Sequence, residues 1–79
     1  MPDESFDVGA IPKGADEIRV AIKEYKGTRY CDVRLWYKPK GGGEHKPSRE
    51  GVTFGLKQIE DMHEFLEEAE QLAKDKGWL

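Results

Sequence analysis

A single cysteine, Cys31, and two well-separated histidines, His45 and His63, are all the soft metal-ligating chemistry the chain has. An internal disulfide is excluded, and a four-ligand zinc site lacks donors. Long hydrophobic runs are also missing: stretches such as Leu35–Tyr37 end after a few residues, which provides neither a membrane span nor the apolar core of a secretory signal. No Ser or Cys nucleophile pattern adjoins either histidine, and the Walker spacing is absent around the glycines at 41–43. The sequence therefore reads as that of a protein that is not an enzyme, takes no cofactor, metal or small-molecule substrate, and stays in a reducing intracellular compartment. That compartment is the cytoplasm or nucleoid of a microbe, or the nucleus of a eukaryote.

What is present begins with size and charge. The chain has 79 residues, 37% hydrophobic and 37% charged, which bounds it to one small domain with a thin core. A second copy that covers apolar surface is the simplest remedy, so a homodimer is expected. The formal net charge of -3 sums three unlike blocks. Residues 1–17 carry one lysine against five acids, residues 18–49 nine lysines and arginines against three acids, and residues 50–79 three lysines against eight acids. An acidic chain thus concentrates a cationic surface in its middle, where it can attract a polyanion despite the sign of the total.

Residues 1–16, MPDESFDVGAIPKGAD, mix Pro, Gly and acids without a sustained period. They are expected to form a disordered acidic tail, leaving residues 17–77 as the folded domain. From Ile18 the pattern alternates strictly, with Ile18, Val20 and Ile22 on one side and Arg19, Ala21 and Lys23 on the other, as in a strand with one buried face. Lys26-Gly27 fits a two-residue hairpin turn, and a second strand runs from Thr28 to about Lys38. Such a turn sets Tyr25 opposite Thr28 and fixes every later pair. Ile18 then faces Leu35, Val20 faces Val33, and Ile22 faces Cys31, which packs there as a small hydrophobe. The other side collects Arg19 with Arg34, Ala21 with Asp32 and Lys23 with Tyr30, and Trp36 continues the row. Two arginines directly opposite repel each other unless Asp32 or a bound anion lies between them. Asp32 with Arg34 is expected as a structural ion pair.

After Pro39, KGGGE reads as a hairpin loop, HKPSR as a short edge strand that tolerates Pro47, and GVTFGL, residues 51–56, as a fourth strand. Residues 57–76 read as one amphipathic helix: Ile59, Met62, Leu66, Ala69 and Ala73, joined by Phe65 and Leu72, recur at three- and four-residue steps. Early acids, Lys74 and Lys76 in the last turn, and Gly77 as a stop agree with the helix dipole and capping rules. The result is an α+β fold, strands first and helix last, with His45 in a loop and His63 on the helix surface. The apolar stripe is expected to cover the Ile18, Val20 and Ile22 face. The face with cations, Tyr and Trp stays open. Cations attract phosphates, and exposed bases stack on flat rings at roughly 1 to 3 kcal/mol each, which suits a single strand better than a duplex that hides its bases.

The stretch IRVAIKEYKGTRYCDVRLWYKPKGGGEHKPSREGVTFGL, followed by an amphipathic helix, resembles the single-stranded DNA-binding domain of the transcriptional coactivator positive cofactor four family. The resemblance covers residues 18 to about 72, and KEYKG, DVRLWY and KPSREG are its most specific pieces. It implies a four-stranded antiparallel sheet followed by one helix, a homodimer, and a channel for single-stranded or melted DNA without strong sequence preference. Position by position, it implies aromatic and basic contacts from Tyr25 and Lys26 at the first turn and contacts from Arg34 and Tyr37 late in the second strand. It also implies a basic third-strand motif of Lys46, Pro47, Arg49 and Gly51. Lys23 and Trp36 join the set from the alternation, which sends Trp36 and not Tyr37 to the open face; both remain candidates. Thr28 and Glu50 stand where family members often carry Lys or Arg, implying weaker and more salt-sensitive binding. The acidic N-terminal segment does not resemble the Ser- and Lys-rich regulatory tail of eukaryotic members, as fits a short microbial or phage-like member.

The function expected is sequence-nonspecific binding of single-stranded DNA in transcription regulation or in replication and repair. Transcription or replication proteins are expected as further partners, and a membrane is not. Two other readings fit the same residues. One is a protein-interaction module in which Trp36 and Tyr37 form an interface and the cations dock an acidic partner. The other is a single-stranded RNA-binding sheet, since stacking does not by itself distinguish the sugars.

Overall fold

The computed structural model describes residues 4–79. Four antiparallel strands lie side by side in chain order: β1, Glu4–Lys13; β2, Asp16–Tyr25; β3, Thr28–Tyr37; and β4, Lys46–Gly55. A single 3-10 turn, Leu56–Gln58, leads into α1, Ile59–Asp75. The strand count and the order of strands before helix agree with the sequence reading, but one strand comes from the segment expected to be a tail, and two of the expected strands are joined into one.

Residues 4–13 are not a disordered tail; they form the edge strand β1. Residues 1–3 of the expected tail lie outside the described residues. The period-two signal was hidden by a bulge between Asp7 and Gly9, which inserts Val8 and shifts the alternation by one residue. With that shift Phe6 opposes Ile22, Gly9 opposes Val20 and Ile11 opposes Ile18, so Phe6 and Ile11 share the apolar face despite their odd spacing. Pro12 is tolerated because β1 has a free edge.

Conversely, HKPSR and GVTFGL are not two strands but parts of one, β4. Gly51 pairs with Arg34 and Pro47 with Trp36, so Ser48, Arg49 and Glu50 together oppose Leu35 alone. Ser48 Oγ donates to the Leu35 carbonyl at 2.8 Å and accepts from the Glu50 N–H at 3.0 Å, replacing ladder bonds lost at the bulge.

The central hairpin has the register that its turn dictates, with Ile18 opposite Leu35, Val20 opposite Val33 and Ile22 opposite Cys31. Lys26 at φ 51° and Gly27 at φ 82° both take the left-handed backbone of a two-residue turn whose twist matches the strands. Val52 and Phe54 of β4 extend the apolar face across Val33 and Cys31.

The helix does not lie along this face as its stripe suggested. Only its first turns meet the sheet, around an apolar cavity of about 200 Å³ lined by Val20, Cys31, Val33 and Phe54 below and by Ile59, Met62, His63 and Leu66 above. Phe65, on another side of these turns, and Leu72, farther along, are exposed. A single chain of this shape cannot cover its own apolar surface: the only buried residues among those described are Ala21, Cys31 and Asp32. The accessible surface is 6645 Å², against about 4,900 Å² for a compact monomer of this mass. The radius of gyration is 15.0 Å, against about 12 Å for a compact chain of this length.

Candidate nucleic-acid interface

Alternation along β2 and β3 puts Glu17, Arg19, Ala21, Lys23 and Tyr25 on one face with Thr28, Tyr30, Asp32, Arg34 and Trp36. The helix meets the other face, so α1 does not lie over this one, whose centre, Ala21 and Asp32, is buried among its own neighbours.

Arg19 and Arg34 are direct cross-strand partners, and their repulsion is relieved by divergence. Arg19 Nε donates to Glu17 Oε1 at 2.8 Å, and its guanidinium carbon lies 4.1 Å from the centre of the Trp36 ring. This cation–π stack restrains the indole against the Arg19 side chain. Arg34 turns to Asp32 instead, donating from Nη2 to Oδ1 at 2.9 Å and from Nε to Oδ2 at 3.3 Å, and from Nη1 to the Ser48 carbonyl at 3.0 Å.

Asp32 is the buried centre of this arrangement. Its side chain also lies 3.4 Å from Lys23 Nζ, so one carboxylate organises two cations and the group keeps one net positive charge. Arg34 still has one unused N–H on each terminal nitrogen, the geometry that suits an anionic oxygen. Gly51 makes room for it: a Cβ there would stand 3.1 Å from Arg34 Cζ and 2.7 Å from the Val33 carbonyl oxygen.

The structure therefore gathers Lys23, Tyr25, Arg34, Trp36, Pro47 and Gly51 on the open face, Pro47 by its pairing with Trp36. Lys26 sits in the adjoining turn, its Nζ 5.3 Å from the Tyr25 ring centre. Tyr37 and Lys46 pair with each other on the alternate set of positions, the set of Leu35, and are not brought together with Arg34. The irregularity at this end of the sheet lies in β4, where residues 48–50 bulge opposite Leu35. Arg49 lies within that bulge. Arg19 and Tyr30 belong to the face although they were not among the candidate site residues, and the signal for both was the hairpin register.

At the far end, the loop after β3 is tied to the β1–β2 turn. The Lys38 N–H donates to Asp16 Oδ1 at 3.1 Å, and His45 Nε2 bonds the Ala15 carbonyl at 2.9 Å. The glycine-rich segment is thereby a connection pinned at both ends. Cys31, on the apolar face, has its thiol pKa pushed up by burial first and by the nearby Asp32 charge second, so it is a poor nucleophile. Among the described residues no group of three or more His, Cys, Asp or Glu is placed to hold a metal, and no helix is long and apolar enough to cross a membrane.

Residues 13–65 match the family described as Transcriptional Coactivator p15 (PC4). Among solved structures, the chain is similar to the bacteriophage T5 homolog of the eukaryotic transcription coactivator PC4, which is implicated in recombination-dependent DNA replication. The TM-score is 0.57 at 19% identity, over 99% of this chain and 85% of that one, a likeness of fold. No curated protein sequence matches significantly.

Proposed function

Since the chain belongs to the PC4 family of transcriptional coactivators, we propose that it is a non-catalytic protein that binds single-stranded or melted DNA on its open sheet face without strong sequence preference. One observation carries this reading: the Arg19–Trp36 stack and the Lys23–Asp32–Arg34 cluster share an uncovered face, turned away from the acidic helix. Flat rings take unpaired bases, and fixed cations take the phosphates between them.

The working unit is a homodimer. The exposed Phe6, Ile11, Val52, Phe65 and Leu72, and a surface well above that of a compact monomer, support a second copy covering the apolar side. The family description supports a role in transcription, and the T5 protein's implication in replication supports a role there as the other arm of the same reading.

The test is a fluorescence-anisotropy titration with labelled oligo-dT, duplex and RNA of equal length at two salt concentrations. Oligo-dT should bind tighter than duplex, with affinity falling as salt rises. Equal or absent binding to the two DNAs would remove the reading, and tighter binding of the RNA would reassign the substrate.

A further inference from the structure

At the turn end of the open face, a wide, shallow depression of about 580 Å³ opens between Tyr25, Thr28, Tyr30, Thr53, Gly55 and Gln58, with Arg29 and Phe54 completing its lining at the sheet's end. The first five share the open face by register: Tyr25 opposes Thr28, Tyr30 opposes Gly55, and Thr53 opposes Asp32. Two phenol rings thus stand on diagonal positions of neighbouring strands. The residue across from Tyr30 has no side chain, which leaves bare backbone as a floor beside the ring.

The polar edge of this slot is oriented. Gln58 Oε1 accepts the Gly55 N–H at 2.9 Å, and because a backbone N–H can only donate, the amide orientation is fixed. Its Nε2 is left as a donor with no partner among the described residues, on a side chain that lines the depression. The lining combines aromatic rings with an NH2 donor and two threonines, Thr28 and Thr53. A nucleobase needs these features, a flat surface for its ring and hydrogen bonds for its edge.

We propose that this slot is a base-reading subsite, which takes one unpaired base from the bound strand, stacks it on Tyr30 and Tyr25, and favours a ring carbonyl opposite Gln58 Nε2. The inference rests on the single-strand reading above. It adds that binding is not uniform in sequence: one position of the site prefers a keto pyrimidine to an amino pyrimidine. Thymine and cytosine have the same ring size, and where thymine carries the 4-carbonyl acceptor cytosine carries an amino donor.

The test compares oligo-dT with oligo-dC of equal length, each titrated by anisotropy into the wild-type protein and into Gln58→Glu and Tyr30→Leu variants whose fold is verified by circular dichroism. Glutamate keeps the acceptor for the Gly55 N–H but replaces the donor with a second acceptor. The wild type should prefer oligo-dT by about fivefold, the ratio one neutral hydrogen bond supplies. Gln58→Glu should abolish or invert that ratio, whereas Tyr30→Leu should weaken both oligomers and leave the slope of affinity against salt unchanged, because no phosphate contact is lost. Thr53→Val, which alters only the rim, should reduce the ratio and serves if Tyr30→Leu does not fold. A wild-type ratio of one, or a ratio unmoved by Gln58→Glu while both strands still bind, overturns the subsite and leaves single-strand binding standing. Absence of binding to either oligomer by the wild type removes the underlying reading instead.

Discussion

The guanidinium of Arg34 occupies the space that a side chain at position 51 would need, and Gly51 is its direct cross-strand partner. The obstruction is not only the flexible arginine, since the added carbon would also stand 2.7 Å from the backbone oxygen of Val33. Gly51→Ala is therefore expected to shift β4 against β3, cost about 1–3 kcal/mol of stability, and weaken oligo-dT binding by displacing Arg34. Urea unfolding and anisotropy on the same variant check both effects.

Arg34→Lys keeps the charge but loses the fork that spans Asp32 and the Ser48 carbonyl. It should destabilise the protein by about 1–2 kcal/mol and raise the dissociation constant for oligo-dT with little change in salt slope. A variant as stable and as tightly bound as the wild type would show that the fork is dispensable.

Lys26 holds a left-handed backbone at φ 51° beside the Tyr25 ring. Lys26→Gly should stabilise the hairpin by about 0.5–1 kcal/mol, the left-handed strain relieved less the entropy of glycine. The same change removes a cation from the end of the open face and should weaken binding. Thermal unfolding and anisotropy moving in opposite directions would mark Lys26 as a residue placed for function at a cost to stability.

These expectations depend on parts of the molecule that differed in how legible they were. The β2–β3 hairpin could be read in full because a two-residue turn fixes register, and register alone put Arg19, Lys23, Arg34 and Trp36 on one face. β1 could not, because the bulge at Val8 breaks its alternation, and a segment with Gly9, Pro12 and scattered acids then looks unstructured. The joining of β4 across residues 48–50 was hidden for a similar reason, as its bulge is held by Ser48 hydrogen bonds that no periodicity announces. The length of α1 followed from its apolar spacing, but its docking did not: Phe65, Leu66 and Leu72 of its stripe are exposed. The Arg19–Trp36 stack and the Gln58 amide orientation depend on side-chain geometry, which a sequence does not carry.

Cys31 supplies a pH dependence. Its folded pKa is raised above the ordinary 9.0, by burial first and the Asp32 charge second, so the folded state holds the thiol proton more tightly than the unfolded state. The resulting stabilisation is fully present below pH 9.0 and is lost as pH rises from there through the folded value. Urea unfolding of the wild type and Cys31→Ala at pH 8 and pH 10 should show a steeper loss in the wild type. Parallel losses would contradict the linkage.

Charge placed on the exposed apolar stripe tests the homodimer. Phe65→Glu combined with Leu72→Glu should convert a dimer into a monomer in sedimentation equilibrium, since both side chains are exposed in the single chain and would face a desolvated interface in a pair. A monomeric wild type would contradict the assembly.

The most direct test of the account is to map the bound strand by NMR, following backbone amides and the two indole N–H signals during an oligo-dT titration. The largest shifts should fall on Lys23, Tyr25, Tyr30, Arg34 and the Trp36 indole, with α1 little changed. Shifts confined to α1 and the Val20, Val33 and Phe54 face would place the strand on the other side of the sheet and contradict the account.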